Sequence, residues 1–371
     1  LVQDLGAWPN GSLPHPLAHV LIRGVGGATL TAEARDKGRD LRDLARGSRQ
    51  AVIYASMTPG VLEHEVVHAY CVQTFGQTGP EWYKEGMAEM ASYGERVTQG
   101  VRCPPERLAV LRRLPARSVS DVLTCGENTQ KVLASLGAMW PRTSSRGTNP
   151  LKDWNADDEK NIRSIRDEYV YSWALCHLLT HNDNFAKRFR TLGEDYLTRQ
   201  QSTFDDHFAA MQSELMFEYG FFLRHVEVGF RADLSAWDWK KRFKTLDSAP
   251  GAGGRIHAKR GWQPSGLIVA VGERFAYRAD GNWATHSAAP RTSADGQSGG
   301  AGRLVGAILH DFQLSAPFPL GAAGSFTATS SGHLYLRCQD AWHELGDNVG
   351  DVIVRLTPAA EHDPGVPPPM P

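Results

Sequence analysis

The sequence predicts a two-domain α+β protein, with a mostly helical domain that carries a small sheet followed by an all-β domain. The chain has 371 residues, which is more than a single hydrophobic core usually serves. Apolar residues recur at helical spacing through most of the region before residue 245. After residue 255 they stand in short runs between Gly, Asp and Asn turns, as in antiparallel sheets.

The predicted domain boundaries follow from this change in hydrophobic spacing and from local composition. LDSAPGAGGR has the composition of a linker between domains. We therefore predict a first domain over 1–245, a linker over 246–255, a β-sandwich over 256–358 and a Pro-rich tail over 359–371. In the first domain, HVLIR and AVIYAS predict two strands on either side of a charged helical stretch. In the second, six runs predict strands: GLIVAV, FAYRA, LVGAIL, SFTAT, HLYLRC and VIVRL.

Composition excludes two classes of partner. Forty Lys and Arg against 41 Asp and Glu give a net charge of −1, so the strong positive field that nucleic-acid binding usually needs is missing. No run of roughly 18 apolar residues predicts a membrane span. The chain begins at Leu1, so either a targeting segment has been removed or the sequence is an excised piece. We expect a secreted or extracytoplasmic protein.

The first domain carries a zinc-binding pattern. His64-Glu65-Val66-Val67-His68 is an HExxH motif, in which two His four residues apart share one helix face and reach one metal ion. Glu65 follows the first ligand and is placed to act as general base. Zinc hydrolases typically add a third protein ligand and leave one position open for water. A helix over 81–93, returning after the GQTGP turn, would bring Glu85 to the His pair.

These residues resemble the gluzincins, the zinc metallopeptidases of the thermolysin and aminopeptidase N type. The second helix reads Trp82-Tyr83-Lys84-Glu85-Gly86-Met87-Ala88, which is similar to their W-x-x-E-G-x-A pattern. The resemblance implies that zinc is bound by His64, His68 and Glu85 and that Glu65 activates a zinc-bound water. It also implies that Glu89 orients a ligand His. No G-x-M-E-N segment precedes the zinc helix, which favours an endopeptidase over an aminopeptidase.

The same resemblance implies an oxyanion donor on a later helix. Gluzincins commonly supply a Tyr or His there, and we choose Tyr169, with Tyr171 and His177 as alternatives. The strand at 51–56 is expected to form the edge of the small sheet, where an extended peptide substrate would pair.

The second domain resembles the calcium-dependent galactophilic lectins of bacteria. The likeness is carried by VGERF through ADGNWATH, by GRLVGAI, and by LYLRCQD running into GDNVG and VIVRL. It implies one calcium ion, held by these residues: Asp340, Glu344, Asp347, Asn348 and the backbone carbonyl of His286. Oxygen ligands of this kind suit calcium. Glu344 stands where those lectins usually have Thr, and Asp347 where they have Asn.

Together these patterns predict a hydrolase, namely a zinc endopeptidase that a calcium- and carbohydrate-binding domain directs to protein or glycoprotein substrates. A galactoside is a possible second ligand. Two alternatives stay open at this point. One is a carbohydrate-binding protein whose peptidase-like part is an inactive scaffold. The other is a zinc hydrolase of a non-peptide amide.

Overall fold

The computed structural model describes residues 19–24, 50–55, 60–94, 100–113, 115–126, 156–246 and 251–359. The helical stretch predicted between the first two strands, and the tail beyond residue 359, lie outside the described residues. The chain divides into two compact units, Leu1–Asp233 and Leu234–Pro371. Helices and antiparallel sheets both occur, so the predicted α+β class is confirmed. None of the described helices is long and apolar enough to cross a membrane.

The first unit is mainly helical. Two parallel strands, β1 (His19–Gly24) and β2 (Gln50–Ala55), pair in register from His19 with Gln50 to Gly24 with Ala55. The helices that follow are α1 (Val61–Phe75), α2 (Glu81–Ser92), α3 (Pro105–Leu111), α4 (Val119–Leu123), α5 (Ala156–His181), α6 (Ala186–Thr198), α7 (Phe204–Phe208) and α8 (Gln212–His225). The short helix α9 (Ala232–Ser235) contains the division between the two units.

Glycines shape the reversal from α1 to α2. Gly76 ends α1 in the left-handed conformation, with φ 72°, and its N–H donates to the Val72 carbonyl. At the other end of α1, Gly60 has φ 86° and lies so close to Ser92, the last residue of α2, that a Cβ would come within 2.5 Å of the Ser92 hydroxyl. The two helices therefore pack with the start of α1 against the end of α2.

Helix α2 is buried on nearly all sides. Trp82 and Tyr83 pack edge-on against Tyr196 of α6, with ring centroids 6.3 and 5.4 Å apart. Gly86 faces α5, where a Cβ would come within 2.5 Å of the Ser172 carbonyl oxygen and of the Cys176 Sγ. With those two directions occupied by packing, the carboxylates of α2 lie towards α1.

The second unit is a β-sandwich. Its strands are β3 (Ala252–His257), β4 (Gln263–Val269), β5 (Arg274–Ala284), β6 (Leu304–His310), β7 (Gln313–Leu314), β8 (Phe318–Pro319), β9 (Ala323–Thr327), β10 (Gly332–Cys338) and β11 (Val349–Pro358). One sheet has the order β4-β10-β6-β7 with β8 also on β6, and the other β3-β11-β5-β9. Both contribute to one apolar core, in which Trp283, Leu334 and Val352 are fully buried.

The second unit begins earlier than the sequence predicts. The division falls between Asp233 and Leu234, and β3 already starts at Ala252, inside the predicted linker at 246–255. The reason is aromatic packing that the linker composition does not show. Trp237 packs on Tyr335 of β10 at 4.6 Å between ring centroids, and Phe243 stacks on His333 of the same strand at 4.3 Å. These contacts attach the segment before the linker to the sandwich.

Two helical predictions also differ in extent. The apolar spacing of the sequence predicts one helix over 168–181 and another helical run over 204–226. In the structure the first helix already starts at Ala156, and the second run is divided into α7, a 3-10 turn at Ala209–Met211, and α8. The division follows local capping. Thr203 accepts from the Asp206 N–H while Asp206 accepts from the Thr203 N–H, so the capping box starts a short separate helix.

The close approach of α2 to α5 predicts a stability effect. Gly86→Ala should lower the free energy of unfolding by about 1–3 kcal/mol, because the added methyl meets backbone and sulfur atoms that have little room to move. Gly220→Ala is the matched control: it lies inside α8 with no atom within 4 Å of a built Cβ. There the same change should stabilise by about 1 kcal/mol through helix propensity. Urea unfolding measures both, and equal effects would contradict the packing argument.

Candidate metal centre

Three side chains of the first unit converge on one point. The Nε2 atoms of His64 and His68 lie 3.1 Å apart, and Oε2 of Glu85 lies 3.1 Å from the first and 3.5 Å from the second. These three form the one group of His, Cys, Asp or Glu side chains within the described residues that is arranged to hold a metal ion. The structure thus brings together all three residues that the sequence predicts as zinc ligands.

Each element contributes to this convergence. The two His are one helical turn apart on α1, so their rings leave the same face. Glu85 reaches them because α2 reverses after Gly76 and because its other faces are fixed by packing. The chain distance between His64 and Glu85 is 21 residues, so one helix-turn-helix supplies the whole group.

Glu89 lies behind His64. Its Oε1 atom is 3.4 Å from Nδ1 of His64, the ring nitrogen that faces away from the convergence point. A carboxylate in that position fixes the tautomer and orientation of a metal-bound imidazole. This is the place that the sequence predicts for Glu89.

The two carboxylates of the group require positive charge close to them. Glu85 and Glu89 are 1% and 6% exposed, and buried carboxylates are costly unless they are paired. Burial alone would lower the pKa of His64, but hydrogen bonding to Glu85 and Glu89 outweighs it and raises that pKa to about 10. Burial likewise raises the pKa of Glu85, yet the two imidazoles hold it well below its ordinary value. The site therefore favours a positive charge at its centre.

Lys84 is a neighbour that the sequence analysis missed. Its Nζ donates to Glu81 at 2.7 Å and lies 3.0 Å from Oε1 of Glu85, the oxygen that faces away from the two His. The contact with Glu85 is an ion pair rather than a well-directed hydrogen bond. The sequence signal for this contact is a lysine immediately before a predicted metal ligand.

The predicted general base and oxyanion donor both lie on the elements of this site. Glu65 follows His64 on α1 and is half-buried. The Tyr169 ring on α5 stacks beside the His64 ring, with centroids 6.0 Å apart and planes at 23°. The side chains of the two alternative oxyanion donors, Tyr171 and His177, make contacts with other parts of the unit. Tyr171 donates to the Val110 carbonyl at 3.5 Å, and His177 stacks on Phe222.

The predicted peptide-binding strand is present as β2, paired in parallel with β1. In the described part of the chain, this sheet has two strands.

In the second unit, the loop between β10 and β11 holds the four predicted side-chain ligands of calcium, whereas His286 lies between β5 and β6. Asp340 and Asn348 stand at its two ends, and each has a buried oxygen, Oδ2 and Oδ1, without a hydrogen-bond partner among the described residues. Burial raises the pKa of Asp340, and hydrogen bonding to the Ala341 N–H and to Asn348 opposes that rise. Asn348 also donates to the Ala258 carbonyl at 3.1 Å, which fixes its amide.

The remaining predicted side-chain ligands, Glu344 and Asp347, are exposed. The Asp347 side chain is exposed and lies 3.6 Å from Nε2 of His286, and Glu344 is exposed near His343. Asp340, Glu344 and Asp347 do not form a three-membered metal group among the described side chains. The structure therefore brings Asp340 and Asn348 into one buried place, and leaves Glu344 and Asp347 at its rim.

Arg337 supports this loop, and the sequence analysis missed it. It is 5% exposed, with its guanidinium 3.7 Å from the Trp342 ring centroid and 5.7 Å from that of Trp262. It donates to the Asp340 carbonyl and, at 2.9 Å, to that of Cys338. Burial lowers its pKa to about 10, and the nearby Cys338 and Asp340 oppose that change. A charged planar group stacked on Trp342 thus holds the start of the loop in place.

Comparison with known proteins identifies no family for either unit. No family model matches the chain, and no curated protein matches it. Among solved structures, the chain is similar to one described as "EclA N-terminal domain; PllA-like lectin", with 20% identity over 29% of this chain and 94% of that one. The TM-score is 0.25, which does not establish a shared fold.

Proposed function

We propose that the protein is a zinc-dependent endopeptidase. The observation that carries the proposal is the convergence of His64, His68 and Glu85, whose ligand atoms lie within 3.5 Å of one another. His64 and Glu85 are buried and His68 is half-buried. Zinc at its usual distance of about 2.0–2.1 Å from nitrogen would separate tetrahedral ligand atoms by about 3.3 Å. The distances between these ligand atoms agree with that value.

The hydrogen-bonding capacity of the group also fits a metal. With Nδ1 of His64 directed at Glu89, a neutral ring carries its proton there and leaves a lone pair on Nε2. That lone pair then faces a carboxylate oxygen and the second imidazole. A divalent cation bound by all three atoms satisfies each of them at once. Two His and one carboxylate are a donor set common in catalytic zinc sites.

The residues around the ion would divide the work of hydrolysis. Bound zinc would act as a Lewis acid, and it brings the pKa of a water molecule to about 7. Glu65 would accept a proton from the attacking water and pass it to the leaving amine. The Tyr169 hydroxyl would donate to the oxyanion of the peptide carbonyl. Glu89 would keep the His64 ring in position throughout, and β2 would align an extended substrate.

For the second unit we propose a calcium site that assists carbohydrate binding. Two buried oxygens without partners, on Asp340 and Asn348, support an ion at the loop. The His286 carbonyl, with Glu344 and Asp347 turned inward, would complete an oxygen shell. Vicinal hydroxyls of a galactoside would be the sugar ligand. Such a unit would direct the peptidase to glycosylated substrates outside the cell.

The first prediction from this proposal concerns Glu65. Glu65→Gln should keep one zinc per chain but lower kcat on a mixed peptide library by about 10²–10⁴, since an amide cannot accept the proton. Elemental analysis and peptide digestion measure the two effects. Glu63→Gln, on the same helix, is the control that should keep activity.

The outcomes separate the rival functions. Zinc without any peptide cleavage by the unchanged protein would favour an inactive scaffold or a hydrolase of a non-peptide amide. Cleavage by Glu65→Gln at the original rate would refute its role as base. A wild-type protein that binds no zinc would refute the peptidase proposal altogether.

The second prediction concerns Tyr169. Tyr169→Phe keeps the ring beside His64 and removes only the hydroxyl, so kcat should fall by roughly 10² with KM and zinc affinity nearly unchanged. Tyr171→Phe is the matched control, because its hydroxyl is directed at the Val110 carbonyl. A loss that appears in zinc affinity instead of kcat would show that Tyr169 only packs against the ligand.

The third prediction concerns the calcium loop. Calcium at 100 times its Kd should stabilise the second unit by about 2.7 kcal/mol. Asp340→Asn should abolish that gain, whereas Asp311→Asn, at a carboxylate that is 88% exposed in a turn, should keep it. Thermal melting of the full chain, with calcium and then with chelator, provides the measurement. No calcium effect on the unchanged protein would refute the site, and calcium binding without galactoside binding would leave a structural ion.

A further inference from the structure

Lys84 lies beside one of the two carboxylate oxygens of Glu85, and the two His lie beside the other. Oε2 lies 3.1 and 3.5 Å from the two His nitrogens, whereas Oε1 lies 3.0 Å from the Lys84 ammonium. Oε2 therefore faces the two His nitrogens that would bind a metal ion, and Oε1 faces the ammonium of Lys84. A glutamate left to itself can offer both oxygens to a metal ion.

We propose that Lys84 is a positioning residue, which holds Oε1 of Glu85 so that this glutamate offers a metal ion one oxygen only. The inference rests on the proposed metal site, and it adds how that site fixes its coordination number. Two His nitrogens and one glutamate oxygen leave a tetrahedral ion one open position. If Glu85 bound through both oxygens, that position would be crowded by the protein itself.

The surroundings of Lys84 keep it in this place. Its ammonium donates to Glu81 at 2.7 Å, so a second carboxylate anchors it from the preceding turn of α2. The Lys84 and Glu81 side chains are 21% and 17% exposed, and Glu85 only 1%. Gly126 lies directly over Glu81, since a Cβ there would come within 2.4 Å of the Glu81 Cβ. An ion pair that is shielded in this way is weakened less by salt than a surface pair.

Charge gives a second reason for the lysine. Glu81, Glu85 and Glu89 lie on successive turns of one helix. A divalent ion at the His pair can neutralise Glu85 and Glu89 but does not reach Glu81. Lys84 supplies the balancing charge on that side, between Glu81 and Glu85.

Cobalt(II) in place of zinc reports the coordination number, because four-coordinate cobalt absorbs visible light more strongly than five-coordinate cobalt. We expect the four-coordinate spectrum from the unchanged protein. Lys84→Met should weaken the absorption as Glu85 turns both oxygens to the ion. It should also raise zinc affinity in competition with a chelator, because the ion gains a second oxygen and no longer meets the positive charge of the ammonium. Lys84→Arg keeps the charge and should restore both.

Lys187→Met, at an exposed lysine of α6, is the matched control and should change neither readout. If Lys84→Met does not fold, as judged by circular dichroism, Lys84→Gln serves in its place. A protein that binds neither metal refutes the proposed function itself. A five-coordinate spectrum from the unchanged protein overturns the role of Lys84 alone. The same holds if spectrum and affinity are unchanged after Lys84 is replaced.

Discussion

The first unit is organised around two buried carboxylates on α2 that face imidazoles on α1. Glu85 and Glu89 have lost nearly all contact with water, and each is within 3.5 Å of a His nitrogen. Burying these carboxylates costs free energy unless positive charge lies close to them, so α2 must be held in the orientation that keeps them beside the imidazoles. The reversal at Gly76, the glycine contact with α5 and the aromatic packing of Trp82 all serve to hold α2 in that orientation.

The second unit holds a polar loop, between β10 and β11, at the end of its sandwich. The loop contributes none of the buried residues of the apolar core, most of which come from the strands of both sheets. The loop is fixed instead by polar contacts: Arg337 on the Asp340 carbonyl, and Asn348 on the Ala258 carbonyl. These contacts leave one buried oxygen on Asp340 and one on Asn348 without a hydrogen-bond partner among the described residues, and a bound ion would satisfy both.

Much of this could be read from the sequence, and the failures have a common cause. The spacing of His64 and His68 and the turn before Glu85 are local signals, so the predicted ligands lie together in the structure. The second unit starts before the predicted linker because Trp237 and Phe243 pack on Tyr335 and His333, 98 and 90 residues further along the chain, and no local pattern shows such contacts. The parts played by Lys84 and Arg337 depend on which oxygen or ring a long side chain reaches, and that is decided only by tertiary packing.

The chain spacing of the metal group bears on how the protein matures. Twenty-one residues separate His64 from Glu85, whereas the sandwich pairs Arg255 with Asp351 across 96. Short loops close at a smaller entropic cost, and structures rich in local contacts form faster than those built from distant strands. The helical hairpin that gathers the ligands is therefore expected to close before the sandwich does. In that order of folding, formation of the proposed metal site and completion of the second unit are separate kinetic events, and a shortage of metal during synthesis would affect the earlier one.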